Sequence, residues 1–541
     1  MKNAVRVRIF EFLMGMGLMT LAFSGALHAG PDEKQLSVHG QLASRGEATD
    51  IAVRIGSGGY VAGLVDSDHD PVTVELLGAD EKVMRELARN ASGQIRFFFV
   101  APTDHPKVRI TAESTSGAAF TMTFDHLVER KDQIPPARQY QSPTIANAAK
   151  AIAAGAGTDA FWALVSQQGA PLVEPRTDSN VVLTFLARGL ERNGRILGAP
   201  SNDHEFLERL GDSDIWFKSF VVPDSTRLSY KIARDIPEFD ADARARRVAI
   251  LATAQADPLN PNVWPDDAPD IYNQKSVIEL DHAPEQPGMA GNASNKGTLW
   301  DFEFDSPVLG NKRTITLYRP YGFDPGNEKN VLLVLFDSRE YRETVPTPAI
   351  LDNLIEQGVL PPVSVAFIAN PDGDARGREL PGNPVFADVL ANDLMPVVFE
   401  RFGTNFASNR IVIGGSSYGG LASMTIAMRH PELFGNVLSM SGSFWWSPDG
   451  TPADQNEYVS YHLARTDKRP VRIFMMAGLF ETGRGDVAGI LESNRHLRDV
   501  LLAKEYDVTY REYAGGHDYL VWRGALADGL IALFGQAHGP S

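Results

Sequence analysis

The chain has 541 residues, so at about 150 residues per domain it is long enough for roughly three or four domains. Hydrophobic residues make up 43% and charged residues 22% of the chain, which excludes a disordered protein, a collagen-like repeat and a polytopic membrane protein. The formal net charge of −17 is opposite to the basic surface of a nucleic-acid binder, so no nucleic-acid partner is expected.

Cysteine is absent from the sequence. Its absence excludes disulfides, cysteine-ligated metals and a cysteine nucleophile. The side chains left for catalysis are serine, histidine and the carboxylates, and we predict neither a resident metal nor a cofactor.

The N-terminal residues have the composition of a secretory signal peptide. A basic start precedes an uncharged run at 12–27, and either Ala26 or Ala29 is a small residue suited to cleavage. The run is shorter than the roughly 20 residues needed to cross a bilayer. We therefore predict a signal peptide over residues 1–29 and a periplasmic or secreted protein with no other transmembrane segment. The alternative is an uncleaved N-terminal anchor.

Two β-rich segments are predicted next. Short alternating runs between turn residues predict a β-sandwich accessory domain over residues 36–130. A proline-containing linker near 133–142 follows, and then an alanine-rich helix. A second, mainly β domain is predicted over 145–275, with strands in the apolar runs 181–188, 215–222 and 228–232.

From residue 298 apolar runs of strand length alternate with segments of helix length. Such alternation is typical of a mostly parallel sheet with helices on both faces, so the fold class is α/β. The predicted strands are the runs 331–336, 363–368, 410–413, 436–440, 471–476 and 506–513.

The third of these runs leads into the motif Gly415-Ser-Ser417-Tyr-Gly419. A strand that enters G-x-S-x-G and a helix that leaves it form the nucleophile elbow of α/β-hydrolases, with Ser417 on the tight turn. Flanking glycines avoid Cβ clashes in such a turn. We therefore predict an α/β-hydrolase catalytic domain over 295–538, with Ser417 rather than its neighbour Ser416 as the nucleophile.

The remaining members of a catalytic triad should follow the serine in the order acid, then histidine. His517 lies in a glycine-rich loop after the last predicted strand, where it can reach the serine as a general base. Two carboxylates, Glu481 and Asp486, follow the run 471–476. Position favours Glu481, which is closer to the strand end, and Asp486 is the alternative.

The oxyanion hole should use two backbone N–H groups. One is the N–H of Tyr418, at the start of the helix after the nucleophile. The other is expected from the loop after the run 331–336, where Ser338 or Arg339 is the candidate.

Longer motifs resemble the enterochelin (enterobactin) esterase family. The resemblance covers about residues 145–538 and rests on segments in the same order as in that family: 161–174, 214–219, 257–261, 376–383, 415–420, 438–446, 477–481 and 515–524. It implies an α/β-hydrolase that cleaves the esters of catecholate trilactone siderophores, usually as iron complexes, so that iron enters as part of the substrate. It also implies Ser417, His517 and Glu481 as the catalytic residues.

The substrate pocket is expected to be basic and aromatic. The resemblance implies that Arg376, Arg378, Trp522 and Arg523 line it. Further arginine and tryptophan side chains in loops near the triad could pair with a catecholate anion and stack on its rings, which adds Arg484 and Trp446, with Trp445 beside it.

The sequence also departs from the family. Asp337-Ser338 stands where the family commonly has Asp-Gly, and the signal peptide and the accessory domain are additions to its cytoplasmic members. Two other functions therefore stay open. The first is an exported carboxylesterase that acts on other acyl esters, such as polysaccharide or feruloyl esters. The second is a binding protein that kept the fold, which an intact triad disfavours.

Overall fold

The computed structural model describes residues 36–134, 138–201, 203–483 and 487–535. The chain divides into two compact units between residues 138 and 139. The predicted signal peptide over 1–29 and part of the predicted linker lie outside the described residues. None of the helices among the described residues combines the length and the apolar character that a membrane span requires.

The first unit is built from strands that form two antiparallel sheets. One sheet has the order β1-β8-β3-β6 and the other β2-β7-β4-β5. Along β6, Ile95, Phe97 and Phe99 alternate with exposed residues and enter the core between the sheets. The strands are β1 (Leu36–Leu42), β2 (Ala48–Ala52), β3 (Tyr60–Asp66), β4 (Val72–Leu77), β5 (Val83–Ala91), β6 (Gln94–Val100), β7 (Lys107–Ala112) and β8 (Ala118–Val128).

The second unit begins with a β-rich segment, which we call the N-terminal β segment (residues 139–289). Two of its sheets have the orders β13-β14-β10-β9 and β12-β11-β15-β18-β17, and β16 pairs with β15. Its elements are α1 (Pro143–Ala153), α2 (Asp159–Gln168), β9 (Leu172–Pro175), β10 (Asn180–Arg188), β11 (Gly194–Leu197), β12 (Glu205–Phe206), β13 (Glu208–Arg209), β14 (Ile215–Pro223), β15 (Arg227–Arg234), α3 (Ala243–Thr253), β16 (Ala254–Gln255), β17 (Val263–Trp264) and β18 (Lys275–Glu279).

The remainder of the second unit is an eight-stranded sheet with helices on both faces. The sheet order is β19-β20-β22-β21-β23-β24-β25-β26, antiparallel up to β22 and parallel from there on. Its elements are β19 (Thr298–Ser306), β20 (Asn311–Arg319), β21 (Val331–Phe336), α4 (Thr347–Glu356), β22 (Val363–Ile368), α5 (Gly373–Glu379), α6 (Pro384–Val389), α7 (Met395–Phe402), β23 (Ile411–Ser416), α8 (Tyr418–Arg429), β24 (Asn436–Met440), α9 (Tyr458–Leu463), β25 (Arg472–Gly478), α10 (Ile490–Ala503), β26 (Val508–Tyr513) and α11 (Tyr519–Phe534).

The central strands of this sheet are buried on both faces. In β21 every residue is buried, with Leu332 and Val334 in the core on one face and Leu333 and Leu335 in the core on the other. This explains why the strands appear in the sequence as continuous apolar runs rather than alternating ones. The parallel strands all end at one edge of the sheet, and the loops at that edge carry the candidate functional residues.

Candidate active site

Ser417 occupies a strained turn between β23 and α8. Its φ of 58° and ψ of −120° lie in a region that L-residues other than glycine seldom adopt. A Cβ on Gly415 would lie 2.9 Å from the backbone carbonyl carbon of Gly419, so the strand and the helix can approach this closely because residue 415 is glycine. The Ser417 N–H donates to the Met440 carbonyl at 3.0 Å, which fixes the turn to β24.

Ser443 lies beside the turn, in the loop after β24. Its hydroxyl is 3.3 Å from the Ser417 hydroxyl, and its N–H donates to the Ser417 carbonyl at 3.1 Å. Sequence reasoning missed this contact. The signal that could have found it is topological, because β24 is the neighbour of β23 and residue 443 follows its carboxyl end.

Glu481 and His517 are brought together from two different loops. Glu481 follows β25, and His517 lies between β26 and α11. The His517 Nδ1 and Glu481 Oε1 atoms are 2.5 Å apart. The carboxylate therefore accepts the Nδ1 proton, which leaves Nε2 as the ring nitrogen for a general base. The His517 side chain is 39% exposed, whereas that of Glu481 is 2% exposed.

The buried carboxylate of Glu481 has further donors. Its Oε2 accepts from the Gly478 N–H at 2.6 Å and from the Ser441 hydroxyl at 2.7 Å. The Ser441 oxygen in turn accepts from the Trp522 indole N–H at 2.9 Å. The Trp522 ring also packs edge-on against His517, with ring centroids 4.7 Å apart. One hydrogen-bonded chain thus runs from Trp522 through Ser441 and Glu481 to His517.

Glu481 and His517 lie at the same end of the parallel sheet as Ser417. Ser417, Glu481 and His517 follow the carboxyl ends of β23, β25 and β26, which are parallel strands of one sheet. Ligands of α/β sheets bind at this edge. The alternative acid Asp486 lies outside the described residues, as does Arg484.

The two predicted oxyanion donors differ in their surroundings. Tyr418 is the first residue of α8, so its N–H has no partner within its own helix. The Ser338 N–H, by contrast, donates to the Ile368 carbonyl at 3.2 Å. That bond ties the loop after β21 to the end of β22 and engages the group that would bind the oxyanion. Ser338 stays a prediction as the second donor, with its N–H engaged in this bond, and Arg339 stays the alternative.

Arg376 is held beside the loop after β21. Its guanidinium makes a two-pronged contact with Asp337, at 2.7 and 2.8 Å, and Asp337 is 2% exposed. Burial acts to lower the pKa of Arg376, but the hydrogen bond and charge of Asp337 outweigh it and the pKa is raised. A cavity of about 380 Å³ is lined by Arg376, Asp337, Ser338 and Tyr519, together with other residues of the loops after β21 and β22. The structure thus places Arg376 in a cavity wall, with its charge paired.

The other residues expected in the pocket differ in how far they are buried. Arg378 is exposed on α5, and Trp446 is half-buried, packing against Tyr458 with ring centroids 6.0 Å apart. Trp522 is 3% exposed and belongs to the apolar core on one face of the sheet. Its ring therefore packs against His517 from the buried side and does not line an open pocket.

Arg523 contacts residues of the N-terminal β segment. It donates to Gln286 and lies 3.3 Å from the Glu279 carboxylate. Burial lowers the pKa of Arg523. It lines a separate cavity of about 580 Å³ with Trp264 and Glu279. Direct contact of Trp522 and Arg523 with substrate stays a prediction. In the structure Trp522 is buried, and Arg523 pairs with residues of the N-terminal β segment.

Among the residues that the structure describes, no group of three or more His, Cys, Asp or Glu side chains could hold an ion. The arrangement brings a histidine and a carboxylate into hydrogen-bond contact at the same end of the sheet as the Ser417 turn.

Two family models match the chain. The model for the esterase family matches residues 306–533, and the model described as enterochelin esterase, N-terminal, matches residues 190–289. An iron(III) enterobactin esterase of Dickeya dadantii is 32% identical over an alignment of 419 residues, and the match covers 69% of this chain and 92% of that protein. The chain belongs to the iron(III) enterobactin esterase family. It is a carboxylic ester hydrolase.

Other members show the same relation. An iron(III) salmochelin esterase of Escherichia coli is 29% identical and covers 73% of this chain and 99% of its own length. The crystal structure of the enterobactin esterase from Shigella flexneri in the presence of enterobactin matches with a TM-score of 0.55 and 27% identity, over 70% of this chain and 98% of that one. The resemblance to the family inferred from the sequence motifs is confirmed.

Proposed function

We propose that this chain hydrolyses the ester bonds of a catecholate trilactone siderophore of the enterobactin or salmochelin type, presented as its ferric complex. The observation that carries the proposal is the His517–Glu481 pair at the same sheet edge as the Ser417 elbow, in a chain whose relatives are iron(III) enterobactin and salmochelin esterases. Iron is cargo of the substrate here, and its release follows the loss of the intact trilactone.

The proposed reaction is acyl transfer through the serine. The Ser417 hydroxyl attacks the ester carbonyl while His517 Nε2 accepts its proton. The Glu481 carboxylate holds the Nδ1 proton and stabilises the imidazolium that forms. The imidazolium then gives its proton to the leaving alkoxide, and water, activated by the same nitrogen, hydrolyses the acyl-enzyme.

The developing oxyanion needs donors that are already in place. The Tyr418 N–H, at the positive end of α8, supplies one. We propose the Arg339 N–H as the second donor, since the Ser338 N–H is bonded to Ile368. Removal of one such donor in a serine hydrolase costs about 10²- to 10³-fold in kcat.

Recognition of an anionic substrate by an acidic protein must be local. Long-range attraction is absent, and repulsion is screened beyond about 10 Å at moderate salt. The sequence predicts four cations for this task, but two of them, Arg376 and Arg523, are paired with Asp337 and Glu279. Among the described members of this set Arg378 is the exposed one, and Arg484 lies outside the described residues. We therefore propose that Arg378 makes the main charge contact with the substrate.

We further propose that the protein works in the periplasm or outside the cell. The support is the basic start, the uncharged run at 12–27 and the small residues that follow. The mass of the protein recovered from the periplasm checks this, with a start near residue 30 expected. A full-length cytosolic form would contradict it.

The test of the substrate is product analysis by mass spectrometry. Purified protein is incubated with ferric trilactone, iron-free trilactone and a neutral aryl ester, with Ser417→Ala as the control. We expect linear catecholate products from the ferric trilactone, and none with the control. Cleavage of the aryl ester alone would instead favour the exported carboxylesterase for polysaccharide or feruloyl esters.

A further inference from the structure

The loop that carries His517 is fastened to the N-terminal β segment. The N–H of Arg227, the first residue of β15, donates to the Ala514 carbonyl at 2.9 Å. Ala514 and Phe480, from the histidine and acid loops respectively, are buried in the same apolar core as Leu228 and Tyr230 of β15. Both loops of the proposed catalytic pair therefore pack against residues from the N-terminal β segment.

Asp518, the residue after His517, contacts the N-terminal β segment through its carboxylate. Its side chain is 6% exposed. Oδ2 accepts from the Ser229 N–H at 2.8 Å and from the Ser229 hydroxyl, and Oδ1 lies 3.3 Å from the Lys275 ammonium. Oδ1 also accepts from the Leu520 N–H at 3.2 Å, which caps α11. One carboxylate thus joins β15, β18 and α11 at the position next to the histidine.

The surroundings of Asp518 favour the ionised form of its carboxyl group. Burial alone would raise the pKa of the carboxyl group, but the Lys275 charge and the Ser229 hydrogen bonds outweigh it and hold the pKa below its usual value. The group is therefore an anion when the enzyme works, and each of its bonds is charge-assisted. Such bonds are stronger than neutral ones and fix geometry more tightly.

We propose that Asp518 is a positioning residue for catalysis, and that through Ser229 and Lys275 the N-terminal β segment holds His517 in the place where it can serve Ser417. This inference rests on the proposed triad but not on the choice of ester. A shift of about 1 Å in a catalytic group can cost on the order of 10²-fold in rate, so the carboxylate that fastens the loop directly beside the histidine is a sensitive point.

The experiment compares Asp518→Asn, Ser229→Ala and Lys275→Met with the wild type on a neutral aryl ester. Asn keeps the shape of the side chain but places an NH2 group toward donors. We expect kcat to fall by about 10- to 100-fold in Asp518→Asn, with KM nearly unchanged, and smaller falls in the other two variants. We also expect the downfield proton resonance of the His517–Glu481 hydrogen bond to shift or disappear in Asp518→Asn.

The matched control is Lys231→Met. Lys231 lies two residues from Ser229 on β15 and donates to the Tyr272 carbonyl within the N-terminal β segment. It should keep the wild-type kcat and the wild-type resonance. If Asp518→Asn does not fold, the decision passes to Ser229→Ala and Lys275→Met, where a fall in kcat with an intact melting temperature supports the proposal.

Wild-type kcat and an unmoved resonance in folded Asp518→Asn, or in both of the other variants, would overturn the inference. An equal loss in Lys231→Met would also overturn it, because the effect would then be general weakening of the segment. The aryl ester keeps the two claims apart. A wild type that cleaves the aryl ester but not the ferric trilactone refutes the proposed substrate and leaves this test intact.

Discussion

Glu481 is the residue whose role can be tested by the smallest chemical change. Glu481→Gln keeps the shape of the side chain but replaces the charged acceptor of the His517 Nδ1 proton, so the imidazole is mis-oriented and its cation is unsupported. We expect kcat to fall by about 10⁴-fold. Asp486→Asn is the comparison and should keep most of the activity. The reverse order of the two variants in the same kinetic assay would move the acid to residue 486.

Ser441 does not contact His517 but hydrogen-bonds to its partner Glu481. It donates to Glu481 and accepts from Trp522, so Ser441→Ala leaves the indole N–H unpaired and removes one donor from a buried carboxylate. We expect a fall in stability of about 1 to 3 kcal/mol and a measurable loss of kcat. Urea unfolding and aryl-ester kinetics measure the two effects.

The matched comparison for Ser441→Ala is Ser460→Ala. Ser460 is also buried, and its hydroxyl has no hydrogen-bond partner among the residues that the structure describes. Its removal should leave kcat unchanged. Equal behaviour of the two variants would show that the contacts of Ser441 do not support the acid.

Residue-level prediction from the sequence succeeded where a motif constrains the backbone. The G-x-S-x-G pattern places Ser417 in a turn that the structure shows with positive φ. It did not foresee the surroundings of Trp522 and Arg523, because adjacent residues of one helix point in different directions. Trp522 is buried in the core and packs against His517, whereas Arg523 pairs with Glu279. It also missed Ser441, Ser443 and Asp518, whose partners are distant in sequence.

At the scale of elements, strands buried on both faces were the most predictable. The runs 363–368 and 436–440 coincide with β22 and β24. The predicted ends of two strands were too early, because glycines stand at those ends. β23 extends to Ser416, past the apolar run 410–413, and β25 extends to Gly478, past the apolar run 471–476. Gly414, Gly415 and Gly478 carry no hydrophobic signal, although they pair within the sheet.

A buried ion pair ties helix α5 to strand β20 of the sheet. Arg313 of β20 donates to Glu379 of α5 at 2.9 Å, with side-chain exposures of 2% and 7%. Arg313→Met would leave the carboxylate buried without its partner, which costs about 3 to 5 kcal/mol. We expect an equivalent fall in the free energy of unfolding in urea.

The adjacent residue provides the comparison for that variant. Lys312 pairs with Asp305 on the surface, with exposures of 68% and 59%. Exposed pairs contribute little, so Lys312→Met should unfold at the same urea concentration as the wild type. Equal destabilisation by both variants would show that the burial of the pair is not what matters.

At the scale of the whole molecule, the proposed chemistry lies in the second unit. Ser417, Glu481 and His517 all lie after residue 138, and so do their described contacts. A protein that begins at residue 139 should therefore keep kcat and KM for an aryl ester. Strong loss of activity in this folded truncation would show that the first unit contributes to the site.

A shorter truncation gives the opposite expectation. A protein that begins at residue 290 would lack β15 and β18, and with them Ser229 and Lys275. Phe480 and Ala514 would also lose the apolar core in which they are buried. We expect this protein to be inactive on the aryl ester, and a folded, active one would contradict the role assigned to the N-terminal β segment.

The most direct measurement is labelling of the nucleophile in competition with substrate. The wild type is treated with an organophosphate, with and without a saturating amount of ferric catecholate trilactone, and the label is located by peptide mass mapping. We expect a single label on Ser417, its formation slowed by the trilactone and absent from Ser417→Ala. A label on Ser416, or labelling of Ser417 at the same rate with the trilactone present, would contradict the account.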